Sequence, residues 1–189
     1  MIKMIKGRAK IAILPVFLFA VCGFFAACSF DYGNAQAENE GKPDLIMLDV
    51  EYVRVRNGDP IVRFQAESAE RYEEAKKMNL NNFSFEEYIN QGTEVNTAGS
   101  AGEASVDLDS GNISLAGGVK ITVESEGFVI ETSELHWLDK TRQLSAGIAE
   151  EVLITRSDGT RFIGRGFSAD ARYMTWVFES GIEGVYVED

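Results

Sequence analysis

Between Glu103 and Val123 apolar and polar residues take turns. Ala104, Val106 and Leu108 alternate with Ser105, Asp107 and Asp109, and Ile113 and Leu115 resume the alternation after a polar turn at Asp109 to Asn112. A period of two is that of a strand with one face buried, so this stretch predicts a hairpin with one apolar face. Gly117-Gly118 then predicts a bend or bulge, because no side chain there obstructs close backbone approach. Val119, Ile121 and Val123 form a third apolar stripe against Lys120, Thr122 and Glu124. Such a ladder is unstable with its apolar face in water, so it requires more strands around it.

The flanking sequence supplies them. In Leu45 to Arg56, Ile46, Leu48, Val50 and Tyr52 share one face while Val53 and Val55 fall on the other, which predicts a bulge or a strand buried on both sides. Asn57-Gly58-Asp59-Pro60 is a strong turn, and Val62, Phe64 and Ala66 restart the alternation. From Glu67 to Lys77 two readings compete: Ala69, Tyr72 and Ala75 among Glu and Lys favour a helix by propensity, whereas both neighbours are strand-like. Phe83 and Phe85 pair on one strand face, and Gln91 to Gly102, rich in Gly, Thr, Ser and Asn, predicts a turn or edge loop. Downstream lie Phe128, Ile130 and Thr132, then Leu135 and Trp137, a polar turn at Asp139 to Arg142, and Leu144. Val152 and Ile154 lead through Ser157 to Thr160 into Phe162; Phe167 and Ala169 precede an aromatic stripe of Met174, Trp176 and Phe178. Ser180-Gly181 turns the chain into Ile182, Val185 and Val187. Recurrence at roughly 8–12-residue spacing predicts an all-β fold.

The N-terminus follows different rules. Lys3, Lys6, Arg8 and Lys10 precede a run from Ile11 to Phe30 without any charge. That run is long enough to span a bilayer as one helix and also suits the apolar core of an export signal. It contains Phe24-Phe25-Ala26-Ala27-Cys28, which resembles a bacterial lipobox: small residues admit the processing enzyme, and the Cys28 thiol takes the diacylglycerol, with palmitate among the expected acyl chains. Phe25 stands where such motifs usually carry Leu. The preferred division is a signal peptide over residues 1–27, a flexible tether over 28–43 and one β domain over 44–189; a retained transmembrane helix and an ordinary secreted chain are the alternatives. Either tether holds the domain to a membrane and places it outside the cytoplasm.

Processing before Cys28 would remove Lys3, Lys6, Arg8 and Lys10 and take the formal charge from −12 to −16. So negative a chain is a poor match for nucleic acid or an anionic headgroup layer; solubility accounts for most of the acidic residues. Cys22 would leave with the signal and Cys28 would be acylated, leaving no disulfide or thiolate metal site.

Candidate chemistry is sparse. His136, the only histidine, lies between Leu135 and Trp137 as an outward strand residue without the partners a zinc site needs. Asp107, Asp109, Asp139, Asp158 and Asp170 fall at turns and surfaces without an evident acid–base pairing. Ser68, Ser105 and Ser168 sit in no nucleophile-elbow setting, and Arg161 to Gly166 does not lead from a strand into a helix as a phosphate loop would. No catalytic residue, cofactor or metal is expected. The aromatic stripes either fill a closed sandwich core or line a slot between splayed sheets; periodicity alone leaves both open. A structural or adhesive surface lipoprotein with a closed core is the alternative function.

Ala104-Ser-Val-Asp-Leu-Asp-Ser-Gly-Asn-Ile-Ser-Leu-Ala-Gly-Gly-Val-Lys-Ile, Gly127-Phe-Val-Ile-Glu-Thr-Ser-Glu-Leu-His-Trp and Arg156-Ser-Asp-Gly-Thr-Arg-Phe-Ile-Gly-Arg-Gly-Phe-Ser-Ala-Asp together resemble the LptC/LptA-type periplasmic jellyroll family of lipopolysaccharide export, most nearly LptC. Val62-Arg-Phe-Gln-Ala-Glu-Ser-Ala-Glu-Arg-Tyr resembles the family's early strands and moves the expectation for 67–77 toward strand. The resemblance spans about residues 44–187. It implies a β-jellyroll of two stacked antiparallel sheets, V-shaped or slightly twisted, with an open groove. The function it implies is non-catalytic: lipopolysaccharide or a similar glycolipid passes from an inner-membrane ABC transporter complex to an LptA-like bridge protein by edge-strand pairing. The implied lipid groove comprises Phe64, Phe83, Leu115, Ile121, Ile130, Trp137, Ile154, Phe162, Phe167, Trp176 and Phe178. The implied partner edge comprises Gly159, Ile182, Val185 and Val187, and Leu45 to Val55 would face the transporter. Two features depart from the family pattern: the lipobox-like end of the leader, and the lack of a basic cluster for phosphorylated headgroups.

Overall fold

Twelve strands, all paired antiparallel, organise the domain, which the computed structural model describes over residues 41–173 and 175–187. The long strands β1 (Leu45–Arg56), β2 (Asp59–Tyr72), β3 (Lys77–Ile89), β4 (Glu94–Asp107), β5 (Ile113–Val123) and β6 (Phe128–Leu138) pair successively as a meander. Six short ones follow: β7 (Gln143–Ser145), β8 (Glu151–Arg156), β9 (Arg161–Arg165), β10 (Ser168–Asp170), β11 (Thr175–Val177) and β12 (Ser180–Val185). At β6 the ladder forks. Phe128 to Glu131 pair with β8, which continues through β9 to β12, while His136 to Leu138 pair with β7, which continues through β10 to β11.

The fork follows from a crease across the long strands. Regular pairing is interrupted at Asp49 of β1, opposite Glu67 of β2, at Asn82 of β3, at Gly102 of β4 and at Gly117-Gly118 of β5. Asp49, Asn82, Gly117 and Gly118 have φ of 50, 49, 79 and 87°, a left-handed geometry that bends a strand and tightens its twist. A Cβ on Gly102 would lie 2.9 Å from the Gly117 carbonyl oxygen, so the two backbones meet here because neither residue has a side chain. Asn82 Nδ2 donates to Glu67 Oε2 along the same line. Each long strand therefore contributes one half to each of two facing half-sheets, the β-jellyroll.

The core lies against the crease. On one half-sheet Ala69, Leu80, Ala104, Leu115 and Leu135 face one another strand by strand, with Ala69 and Leu135 fully buried. On the other, Phe83 opposes Ala101, and Ile121, Ile130, Ile154 and Phe162 form a continuous row. Phe162 of β9 meets Trp176 of β11 at 5.5 Å between ring centroids, and Phe178 packs on both Phe167 and Trp176. These tilted and edge contacts join the two branches of the fork.

Of three local expectations two are resolved and one changes. Residues 67–77 form the end of β2, a turn and the start of β3, the strand reading that the resemblance favoured: Ala69 is needed in the buried row, and helix propensity yields to it. Glu94 to Gly102 belong to β4 and not to a loop. Their small residues are packing partners, since Phe85 lies over Gly99 and Phe83 over Ala101. β1 carries a bulge between Arg54 and Val55, as one alternative required, and it is an edge strand with Leu48, Tyr52 and Val55 exposed, not one buried on both faces. The leader, its boundary at residue 27 and Cys28 lie outside the described residues.

Candidate functional site: an apolar cleft between the half-sheets

Away from the crease the half-sheets diverge and enclose a cleft of about 460 Å³, within the size range of small-molecule and acyl-chain sites. One wall is the row Phe64, Phe85, Ile121 and Ile130, flanked by Val62, Val123 and Phe128. The other is Ile113, Trp137, Leu144, Ala169 and Trp176, contributed in register by β5, β6, β7, β10 and β11. Phe64, Phe83 and Tyr52 stack at about 6 Å centroid spacing and extend the aromatic surface toward β1. The cleft is apolar because both walls inherit the inward face of period-two strands. It stays open because the aromatic contacts that close the fork lie on β9 and β11, at the far end from β1.

Of the residues expected in a groove, Phe64, Phe83, Leu115, Ile121, Ile130, Trp137 and Trp176 line this cleft. Ile154, Phe162, Phe167 and Phe178 do not. Ile154 and Phe167 are only 1 % exposed, and Phe162 and Phe178 engage the bridging aromatic cluster. Alternation places all eleven on inward faces, but depth below the mouth depends on distance from the crease, which alternation does not encode. Missed were Val62, Phe85, Ile113, Val123, Phe128, Leu144 and Ala169; all sit on stripes already visible in the sequence.

Four charged side chains stand at the rim: Glu87, Glu126, Arg142 and Asp170. Arg142 is tied to Asp139 at 3.3 Å and lies 4.6 Å over the Trp137 ring. Asp170 receives Arg172 Nη2 at 2.6 Å and Nε at 3.1 Å, and those guanidinium hydrogen bonds hold its pKa down at about 2. Asp107 and Asp158 accept backbone hydrogen bonds in their turns, which also lowers their pKa values. On the outer surface, His136 Nδ1 lies 3.1 Å from Ser114 Oγ and its Nε2 lies 3.3 Å from Glu134. Among the described residues no three His, Cys, Asp or Glu side chains gather as metal ligands.

The residues expected at a partner edge lie at the end of the β9 branch. β12 pairs through β9 alone, leaving its other side unpaired among the described residues, with Ile182 and Val185 exposed. Gly159, at φ +89°, sits under Val187, whose Cγ2 would be 3.5 Å from a Cβ there. The Val187 N–H donates to Oγ1 of fully buried Thr160 at 3.2 Å.

The profile of the family described as lipopolysaccharide-assembly, LptC-related, matches residues 12–187. The chain belongs to that family. The LptC-related family is periplasmic and non-enzymatic, and makes this protein a component of lipopolysaccharide transport. The jellyroll is similar to the crystal structure of LptH, the LptA homologous periplasmic component of the lipopolysaccharide transport device from Pseudomonas aeruginosa. The TM-score is 0.51 at 13 % identity, covering 67 % of this chain and 95 % of that one; at that identity the likeness is one of fold. None of the curated protein sequences matches this LptC-related chain.

Proposed function

We propose that the protein receives lipopolysaccharide or a related amphipathic lipid from an inner-membrane ABC transporter and passes it to an LptA-like periplasmic bridge protein. The supporting observation is the open apolar cleft, whose walls offer shelter to acyl chains. Each methylene removed from water contributes about 0.8 kcal/mol. Ten sheltered methylenes thus give roughly 8 kcal/mol, near micromolar affinity before ordering costs. That strength suits a carrier that must also release. The C-terminal edge formed by Ile182, Val185 and Val187 above Gly159 pairs with the bridge protein by strand addition, and β1 faces the transporter. The domain is tethered through acylated Cys28, or through residues 11–30 as a retained helix.

Purification from membranes with mass analysis of bound lipid tests the cargo. A glycolipid carried by the native protein and lost when Phe64 and Ile130 become Arg supports the reading; native protein that never carries lipid beside a working transporter sinks it. Labelling with radioactive palmitate tests the tether: a labelled native chain and an unlabelled Cys28→Ser chain mark acylation, whereas an unlabelled native chain retaining residues 1–27 marks the helix.

A further inference from the structure

We propose that the mouth of the cleft seats the phosphate groups of its cargo at two separate stations, Arg54 at the β1 end and Arg156 at the β8 end. This rests on the cleft being the lipid site, and it assigns the residues that hold a phosphorylated head above it. The outermost inward row of one half-sheet starts at Arg54, opposite Val62, and carries Glu87 on β3 and Thr97 on β4. It then passes Val123 and Phe128 and ends at Arg156. Arg54 follows Tyr52, whose ring stacks on Phe64, by two residues and so shares its inward face. Arg156 is paired with Phe128 of the cleft wall. The strand order thus brings into one row two arginines that lie far apart in the chain, which is why the sequence shows no basic cluster.

Six strand steps, β1 to β6 and then β8, separate the two. At about 4.8 Å per step that is roughly 25–30 Å along the sheet, so a single phosphate meets only one of them. Glu87 and Glu126 stand between and disfavour a phosphate midway, so the head rests at either end. Arg54 has no ion-pair partner among the described residues. Arg156 reaches Asp158 of its own turn at 3.7 Å, beyond hydrogen-bond length and in contact with solvent, so a phosphate displaces that contact at little cost. The neighbouring arginines are held more closely. Arg71, inward on the facing half-sheet, lies 2.9 Å from Glu73; Arg142 lies 3.3 Å from Asp139 and over the Trp137 face; Arg172 lies 2.6 Å from Asp170. Arg54 is on the strand proposed to meet the transporter and Arg156 on the branch that leads to β12, so the two seats mark reception and departure.

The experiment uses the full chain in nanodiscs of zwitterionic lipid at neutral pH and low salt with chelator present. Its probes are a dodecyl phosphate and a dodecyl maltoside, each with a diazirine beside the head, and adducts are mapped by peptide mass spectrometry. Fluorescence of Trp137 and Trp176, both in the cleft wall, reports occupancy. The phosphate should label two groups of residues, one around Tyr52 and Val62 and one around Phe128. Arg54→Gln should deplete the first group at least about fivefold and spare the second, and Arg156→Gln should do the reverse. Maltoside labelling should not change in either variant. Near 1 M salt, where the Debye length is about 3 Å, the phosphate pattern should approach that of the maltoside. A phosphate pattern that either variant leaves untouched, or maltoside adducts lost equally, overturns the inference and leaves the cleft standing as a lipid site. Inorganic phosphate competing as well as the alkyl phosphate at equal concentration makes the arginines a site for the free anion and overturns it too. If neither probe labels the cleft or perturbs the tryptophans, the cleft reading itself fails, and the stations with it.

Discussion

The Phe85 ring occupies the space that a side chain on Gly99 would fill. The two residues are directly paired across β3 and β4, and a Cβ on Gly99 would overlap the ring edge. Gly99 is therefore the missing tooth in an otherwise bulky row running from Tyr52 through Phe64 and Phe85 to Ile121 and Ile130. The Gly99→Ala change should push Phe85 toward the cleft and destabilise the domain by about 1–3 kcal/mol through overpacking. Urea unfolding measures the stability loss, and quenching of Trp137 and Trp176 by a bound amphiphile should weaken in the same variant. Unchanged stability and binding would show that Phe85 moves elsewhere at little cost.

Wall and core positions should separate under photocrosslinking. A photoreactive residue at Phe64 or Ile113 should capture lipid, whereas one at Ile154 or Phe167 should not, because those two are sealed behind the aromatic bridge. The same division predicts that Phe167→Ala is chiefly a stability variant, costing roughly 3–5 kcal/mol, measured as a fall in the urea midpoint. Capture at Phe167 comparable to that at Phe64 would place the cargo deeper than the cleft described.

Acid should loosen the rim through Asp170. Its pKa is depressed in the folded state, from the ordinary 3.8 to about 2, chiefly by hydrogen bonds from Arg172. A proton therefore binds the unfolded chain more readily than the folded one. The resulting stability is present above pH 3.8 and is lost as pH falls toward 2. Asp107 and Asp158, lowered by turn hydrogen bonds, act in the same direction. Urea midpoints taken across this window should fall with pH, and Asp170→Asn should flatten part of the slope. An identical slope in that variant would mean the pair exerts nothing beyond solvent screening.

Bulk at Gly159 should loosen the C-terminal edge. Its φ of +89° disfavours any L side chain, and Val187 lies directly over it. Left-handed backbone costs roughly 1–2 kcal/mol for a residue with a Cβ. Gly159→Val should raise amide exchange at Val187 and along β12, and should weaken capture of an LptA-like protein more than binding of amphiphile. Equal losses in both would mean that the whole domain, not the edge, has been damaged.

Much of this was readable from residue order, and the failures have physical causes. Strands were visible because one face of each is buried and the other wet; turns were visible where Asn57-Gly58 or Asp158-Gly159 supplies a positive φ. Gly117-Gly118 announced one point of the crease, but Asp49 and Asn82 adopt left-handed geometry with ordinary side chains and gave no such notice. In Lys- and Glu-rich 67–77 local preference left helix and strand in competition, because Ala69 gains its value only opposite Leu80 of the next strand. Ile154 and Ile130 were indistinguishable by alternation, since what parts them is where the walls diverge. The fork at β6 had no local signature at all: nothing in Phe128 to Leu138 states that its two ends acquire different neighbours.

That fork divides the domain's mechanical duties. Six strands run through both leaves and bind them at the fold line, so the β1 side keeps a fixed gape; beyond β6 the leaves part into short ribbons held mainly by tilted and edge-on rings across the gap. Any widening to admit a bulky passenger should thus be easiest at the C-terminal end, where the next carrier would attach.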